Sequence, residues 1–473
     1  MAATWGCHAH GRPVRSPLFG RFQRPHLIGI GGIGMEGLAR LLAQSGCRVS
    51  GSDRASSRAL QGLGDDGFTV YAGHRAEQLA DADLVVFSAA VPLDNVELQE
   101  ARRRGLPAVR RAELLGELSR EPYTVAIAGS HGKTTTSSMV AAILRRDNRA
   151  PSVLVGGSRD GRAEAELGAG AQLVVEADEF DRSFLWLHPD LAVVTSVDAE
   201  HLDCYGDLAG VETAFCQFLA RVPFYGTCLV AGDGRVGPGV ARPLQRPCLR
   251  WGMEEGNDYR ATAVELTGWG STCTVVRGDR VLGALRLSVP GEHNLRNAVG
   301  AAAAADVLGV DFTVTAAALA AFRGVGRRFE SRGEVAGVAV VDDYAHHPAE
   351  VAAALAAARA TGRRVVAAFQ PHLYSRTRDL YGDFARALAG ADTVFLLPVY
   401  AAREAPIAGV GSELIADAMA AAGTTRPTLL ADREQLLAEL LRAVRPGDLV
   451  LTLGAGNLDE AAGWLVDRLG DAW

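Results

Sequence analysis

Three times in succession the chain runs a short apolar stretch into a turn and then into a helix-like segment, and this rhythm limits the fold more than any other feature. In the first series His26–Ile30 reads as a strand entering a Gly-rich turn, Met35–Ser45 as a helix, Arg48–Gly51 as a strand ending at Asp53, and Leu84–Ser88 as another buried strand. Tyr123–Ala128 opens a second series, with Leu173–Glu176 and Leu191–Ser196 as strands and Asn294–Leu308 as an Ala-rich helix. Val338–Asp342, Val365–Phe369, Val394–Leu397 and Leu449–Leu453 form the third. Strands separated by helices build parallel sheets with helices on their faces. Tyr259–Leu266, Cys273–Arg277 and Val281–Ser288 alternate more strictly between Gly residues, which predicts an antiparallel patch. Breaks near Pro122 and Gly326 divide the chain into α/β domains over 26–118, 119–326 and 327–473, and the 473-residue length agrees at about 150 residues per domain. Residues 1–25 are expected to be a disordered extension.

Composition removes several classes of function. A net charge of −7 without a basic block argues against a nucleic-acid binder. No uncharged apolar run is long enough for membrane insertion. The 7 cysteines contain no C-x-x-C pair, and the Arg-rich N-terminus has no apolar core of a signal peptide, so a reducing, cytoplasmic location is expected. Of the 48 Lys and Arg residues only Lys133 is a lysine. The chain uses Arg almost wherever a cation suffices, so position 133 is singled out.

Lys133 lies in Gly129-Ser130-His131-Gly132-Lys133-Thr134-Thr135-Thr136, between a strand and a helix. Such a loop offers backbone N–H groups to phosphates, a compact ammonium to the β/γ-phosphates and a hydroxyl to Mg²⁺. Gly29-Ile30-Gly31-Gly32-Ile33-Gly34 is a second glycine loop, suited to a diphosphate at a helix N-terminus, with Asp53 placed to accept from a ribose. Taken alone it suggests NAD, or only a tight helix–strand turn. Glu176-Ala177-Asp178-Glu179 ends a strand, where carboxylates face the ligand crevice, and Glu176 is the first choice for a Mg²⁺ ligand. In Asp198-Ala199-Glu200-His201-Leu202-Asp203 the histidine is read as a metal or phosphate contact. Asn294 and Asn297, in Gly291-Glu292-His293-Asn294-Leu295-Arg296-Asn297, either cap a helix or read a base edge. Arg327-Arg328-Phe329-Glu330, Asp342-Asp343-Tyr344-Ala345-His346-His347-Pro348 and the segment Gln370 to Asp379 gather charge at strand ends in the third series.

With these motifs in order, the chain resembles the Mur ligase family over about residues 26–469. AGSHGKTTT is the family's ATP loop. HLIGIGGIGMEGLA, VVEADEFDRSFL, VDAEHLDCYGD, PGEHNLRNA, RRFE, DDYAHHP and FQPHLYSRTRDLY together are similar to its alanine-adding branch. The resemblance implies a Rossmann-like UDP-sugar domain, a central ATPase domain with a parallel sheet plus a small antiparallel sheet, and a Rossmann-like C-terminal domain closing over both. The implied reaction joins L-alanine to the lactyl carboxylate of UDP-N-acetylmuramate through an acyl phosphate, with ATP and Mg²⁺ as cofactors, in a monomer or weak homodimer. The alternative within the family is a recycling ligase that adds a whole tripeptide. The resemblance also turns the first loop from NAD to UDP.

The same resemblance distributes roles. UDP-sugar contacts fall to Gly29, Gly31, Gly32, Ile33, Gly34, Met35, Asp53 and Ser88. ATP contacts fall to Gly129, Ser130, His131, Gly132, Lys133, Thr134, Thr135, His293, Asn294, Asn297, Arg327 and Asp343. Thr134, Glu176 and His201 are the metal ligands, and Tyr344, His346, Arg376 and Arg378 face the substrate carboxylates. Lys133, Glu176, His201, His346 and Arg376 are the catalytic set, with His346 a candidate base for the attacking amine. Three positions depart from the family pattern: Glu36 replaces a small residue, Phe180 a serine, and Leu373 an arginine. Other branches use a carbamoylated lysine at a second metal, and this chain has no lysine to spare.

Overall fold

The computed structural model describes residues 21–159, 162–237, 239–240, 246–402 and 404–472. Residues 1–20 of the expected extension lie outside them. Residues 21–25 belong to the folded chain: the amides of Gln23 and Arg24 donate to the Asp83 carboxylate, and a strand starts at Pro25. By compactness the chain divides into two units. One comprises Met1–Thr262, Val275–Gly283 and Asn297–Leu319; the other comprises Ala263–Thr274, Ala284–Arg296 and Ala320–Trp473.

The first sheet holds β1 (Pro25–Ile28), β2 (Ser50–Asp53), β3 (Thr69–Ala72), β4 (Leu84–Phe87) and β5 (Ala108–Arg110), all parallel, in the order β3-β2-β1-β4-β5. Alternation along β1 sends Leu27 to the core with Met35, Leu38 and Leu42 of helix Ile33–Gln44, and Ile28 to the opposite face with Val85 and Leu98. Strand order reverses between β1 and β4, so the loop after β1 and Ser88 after β4 share one crevice. A Cβ on Gly29 would stand 3.3 Å from that of Ser88.

The second sheet holds β6 (Tyr123–Ala128), β7 (Ser152–Arg159), β8 (Arg162–Glu166), β9 (Gln172–Glu176), β10 (Leu191–Val194), β11 (Thr227–Ala231), β12 (Cys248–Gly252), β13 (Tyr259–Thr267), β14 (Gly270–Arg277) and β15 (Arg280–Leu287). Its order is β15-β14-β13-β12-β11-β10-β6-β9-β7-β8. The strands from β12 to β7 pair in parallel, and β7–β8 is an antiparallel hairpin absent from the sequence reading. β13, β14 and β15 are sheet neighbours joined by two-residue links, which only antiparallel strands permit. They do not form the separate small sheet expected. The start of β13 pairs with β12, Tyr259 opposite Trp251, so the antiparallel strands extend the larger sheet.

The third sheet lies in the second unit: β16 (Glu330–Val335), β17 (Val338–Asp343), β18 (Val365–Phe369), β19 (Thr393–Leu396), β20 (Thr428–Leu429) and β21 (Leu449–Leu453), in the order β16-β17-β21-β18-β19-β20. All pairs are parallel except β16–β17. Ala339 and Val341 face one core with Val351, Leu355, Phe384 and Ile415; Val338 and Val340 face another with Leu436, Leu440 and Leu465. Both faces are covered, which is why its parallel strands read as unbroken apolar runs.

Candidate active site

The glycine loop after β6 is locked against the end of β10. Ser130 N donates to the Ser196 carbonyl, His131 N to Ser196 Oγ at 2.9 Å, and Asp198 N to Ser130 Oγ at 2.9 Å. Gly129 has φ +139°, and a Cβ there would fall 2.1 Å from Thr195 Oγ1. Gly132, at φ +84°, turns the chain into helix Lys133–Arg146, and a Cβ on it would stand 2.6 Å from Asn297 Oδ1. The loop therefore requires glycine at both positions, and Asn297 lies directly against it.

Lys133 opens that helix. Its ammonium donates to the Gly129 carbonyl at 2.5 Å and the Ser130 carbonyl at 3.3 Å, and pairs with Glu179 at 2.8 Å. Burial opposes the charge, but the carboxylates of Glu179, Asp178 and Glu176 more than offset it, so the ammonium is held charged well above its ordinary range. Glu179 is buried and was not among the expected site residues. Its signal lay in the acidic run, but strand-end logic favoured Glu176. The chain then turns through Asp181 and Arg182, both left-handed.

Thr134 and Glu176 do meet: the hydroxyl lies 3.1 Å from each carboxylate oxygen, while Gly156 N donates to Glu176 Oε2 at 2.8 Å. His201, itself left-handed at φ 54°, precedes the short helix Leu202–Tyr205. Its Nε2 is 3.8 Å from Glu179 Oε1, and ligand atoms of Glu179, Glu200 and His201 lie within 4.8 Å of one another. Phe180 packs edge-on against the His201 ring at 5.4 Å. A hydroxyl and several carboxylates with one imidazole suit a hard divalent cation that keeps water and phosphate ligands. His131 Nε2 pairs with Asp198 at 3.2 Å, and Thr135 is buried in the first turn of the helix.

At the first loop, Ser52 O accepts from Gly29 N and Ile30 N, and Asp53 Oδ2 accepts from Gly31 N at 2.9 Å. Asp53 thus shapes the loop. Met35 is in the core, whereas Ile33 is exposed. Glu36 is buried and is answered on the next turn: Arg40 donates to its Oε1 at 2.9 Å and reaches Asp66 at 2.8 Å. Its charge is neutralised within the fold instead of standing against a diphosphate.

The helix Glu292–Val307 begins before both asparagines, so Asn294, in the second unit, and Asn297, in the first, sit inside it and do not cap it. Gly291, at φ +95°, supplies the turn beside His293, and Asn294 Nδ2 donates to the Pro290 carbonyl at 2.7 Å. Arg327 is engaged internally, donating to Asp342 at 3.1 Å and to the carbonyls of Gly456 and Gly454 at 2.9 and 2.7 Å. Asp343 accepts from Phe329 N and Ala345 N at 2.8 and 2.7 Å, and burial pushes it up to about 7 against the opposing pull of Arg328. The folded carboxyl therefore keeps a proton that the unfolded chain has already lost between about pH 4 and 7, so its contribution favours folding at low pH and fades as pH rises. The thermal midpoint is expected to fall between about pH 4 and pH 7, and Asp343→Asn to flatten that fall. An unchanged slope in the variant would refute this assignment.

Tyr344, His346 and Arg376 gather at the strand ends of this sheet. The His346 ring meets Tyr344 at 5.2 Å and His372 at 5.8 Å, and His372 stacks on Tyr400. His372 is a second residue the sequence reading passed over, although it lies in the segment that carries Arg376. His346 Nδ1 is 3.0 Å from the Tyr344 carbonyl, which makes it the donor and leaves Nε2 as the basic nitrogen. Burial holds the ring below its ordinary range, aided by Arg376 and opposed by Glu350, so it is neutral at pH 7. Arg376 Nη1 is buried and donates no hydrogen bond among the described residues. Arg378 is not brought in: its guanidinium pairs with Asp379 at the exposed surface, at 2.7 and 3.0 Å.

A triphosphate cradle at the carboxyl edge of a parallel sheet, with carboxylates and one ammonium converging on it, defines an ATP-dependent α/β enzyme. Family models match in sequence: Mur ligase family, catalytic domain, over 24–123; Mur ligase middle domain over 127–305; and Mur ligase, glutamate ligase domain, over 327–456. The chain belongs to the Mur ligase family. A UDP-N-acetylmuramate–L-alanine ligase of Geobacter sp. (strain M21) is 43% identical, with 96% of this chain and 99% of that protein covered. One from Anaeromyxobacter dehalogenans (strain 2CP-1) is 46% identical over 92% of this chain and 95% of its own. The crystal structure of the UDP-N-acetylmuramate–alanine ligase from Thermotoga maritima superposes with a TM-score of 0.82 at 28% identity, covering 95% of this chain and 100% of that one. A murein peptide ligase from Psychrobacter arcticus gives 0.70 at 25% identity, over 95% of this chain and 99% of its own.

Proposed function

We propose that this enzyme ligates L-alanine to the lactyl carboxylate of UDP-N-acetylmuramate, converting ATP to ADP and phosphate, as a step of peptidoglycan precursor synthesis. The observation that carries this reading is the full-length similarity, above 40% identity, to relatives that bear that activity in their names. A carboxylate oxygen of the sugar attacks the γ-phosphorus and ADP leaves. The amine of L-alanine then attacks the acyl carbon, and phosphate departs as the amide forms. Domains over 26–118, 119–326 and 327–473 would hold the UDP-sugar, ATP and the amino acid respectively, and the spans of the three family models support these boundaries.

The chain's own groups supply positioning and charge. Lys133 neutralises the β/γ-phosphate oxygens while the first-turn amides of Lys133, Thr134 and Thr135 hold them. Thr134 with Glu176, and His201 with Glu179 and Glu200, form two groupings that would hold Mg²⁺, which screens phosphate charge when bound. Arg376 Nη1 has the open donor that a substrate carboxylate needs. His346 Nε2 is neutral and free to accept the proton of the alanine ammonium. Arg327 and Asp343 would order the third domain's own strand edge, and Arg378 would join only by leaving Asp379. Among the described residues no helix is long and apolar enough to cross a membrane, and we place the enzyme in the cytoplasm as a monomer or weak homodimer.

The test is phosphate release from Mg-ATP with UDP-N-acetylmuramate, comparing L-alanine with L-Ala-γ-D-Glu-meso-diaminopimelate. Release that needs both the UDP-sugar and L-alanine is expected. Preference for the tripeptide would make this a recycling ligase.

A further inference from the structure

Beneath the first glycine loop lies a polar cluster that the reaction scheme leaves unused. Glu97 is the second residue of helix Val96–Arg103, capped by Asn95, whose Oδ1 accepts from the Glu97 amide at 2.9 Å. The side chains of Glu97 and His26 are 0% exposed, and Ser52 is buried with them. Glu97 Oε1 lies 3.2 Å from His26 Nε2; Oε2 accepts from Ser52 Oγ at 2.6 Å and lies 2.9 Å from His74 Nδ1. The other nitrogen of His26 meets Ser50 Oγ at 2.9 Å. One carboxylate thus ties β1, β2 and the turn after β3 to a helix. Burial would push it up, but the bonds from His26 and Ser52 hold it below the usual carboxylate range.

A buried charge is costly unless fully bonded, and an apolar residue would pack this space at lower cost. What the carboxylate holds explains its presence. Ser52 is the residue whose carbonyl receives the amides of Gly29 at 2.8 Å and Ile30 at 3.0 Å, and its neighbour Asp53 receives that of Gly31 at 2.9 Å. Movement of Ser52 therefore moves the loop.

We propose that Glu97 is a positioning residue for the diphosphate of the nucleotide sugar: through Ser52, braced by His26 and His74, it sets the path of the loop from Gly29 to Gly34. The proposal rests on the reading of that loop as the UDP-sugar site. Glu97 touches no substrate in this scheme. It fixes the acceptor that fixes the loop, so its loss acts on one substrate only.

The experiment measures KM for all three substrates and kcat in the full-length enzyme, with Kd for UDP-N-acetylmuramate by calorimetry. Glu97→Gln keeps the volume but removes the charge that binds three donors. It is expected to raise KM and Kd for the UDP-sugar about tenfold, the effect of losing one charged hydrogen bond of about 1.4 kcal/mol. KM for ATP and for L-alanine, and kcat at saturation, are expected within about twofold of the parent. Ser52→Ala breaks the same link from the other side and serves if Glu97→Gln does not fold. The double variant is expected to be no worse than the weaker-binding single, because both cut one connection. An unchanged Kd for the UDP-sugar in either single variant, a parallel rise in all three KM values, or additive losses in the double variant overturns the proposal. If the parent enzyme itself shows no dependence on UDP-N-acetylmuramate, the loop reading fails first and the proposal with it.

Discussion

Replacing the single lysine by arginine, Lys133→Arg, is expected to lower kcat/KM by about a thousandfold, or ~4 kcal/mol of transition-state stabilisation, in a protein that still folds. The ammonium sits in a space bounded by the Gly129 carbonyl at 2.5 Å, the Ser130 carbonyl at 3.3 Å and Glu179 at 2.8 Å. A planar guanidinium is wider and spreads its donors along a fork. It would have to displace the loop carbonyls whose chain presents the phosphate-binding amides. The chain shows that arginine is the default elsewhere, with 47 of its 48 basic residues of that type, so tolerance at 133 would be unexpected. Steady-state kinetics and a thermal melt check this together. Activity above a tenth of the parent, or collapse of the melt, would sink the assignment of this residue to the phosphates.

Glu179→Ala is expected to have the second largest effect, and to show it differently with and without nucleotide. Removing one partner of a buried ion pair leaves the other charge uncompensated, at a cost of about 3–5 kcal/mol. Here Lys133 would keep two carbonyls but lose its contacting carboxylate, with only the more distant charges of Asp178 and Glu176 left to oppose burial. When Mg-ATP binds, phosphate oxygens supply negative charge to the same ammonium. The fall in thermal midpoint should therefore be large without ligand and clearly smaller with a non-hydrolysable ATP analogue. Equal falls in both conditions would mean that Glu179 stabilises the domain without exchanging Lys133 with the phosphates.

The strands that were legible in the sequence are those buried on both faces. Tyr123–Ala128, Val365–Phe369 and Leu449–Leu453 agree end to end, because a continuous apolar run bounded by turns has one good place in a covered parallel sheet. Glu330–Val335 was not legible: it is an edge strand of polar, half-exposed residues, paired on one side only. Ser152–Arg159 is interrupted by two glycines and pairs with the charged Arg162–Glu166, so neither half carries a periodic signal. In the candidate site, Lys133, Thr134 and Glu176 could be found because strand-end and loop positions announce them. His201 was also legible, from the acids around it, although its own backbone is left-handed, whereas Glu179 owes its place to the left-handed turn at Asp181 and Arg182, which no glycine marks. Leu373 is similar. At φ +72° its backbone donates to the Tyr400 carbonyl and accepts from the Thr377 hydroxyl, so the position is held by main-chain bonds that the residue type does not reveal.

The hydrogen bonding of the first glycine loop decides which of its amides remain available. Those of Gly29 and Ile30 go to Ser52, that of Gly31 to Asp53, and that of Gly32 back to Gly29, while Met35 and Glu36 already donate to Gly32. The first-turn amides of Ile33 and Gly34 are left, at the positive end of helix Ile33–Gln44. An anion held there is gripped by peptide units and not by side-chain chemistry. The exposed Ile33 side chain can then drift among residue types without cost to the grip. Sensitivity moves instead to places that steer the main chain from below, such as Gly51, where a Cβ would come within 2.6 Å of Ile30 and of the Leu27 carbonyl.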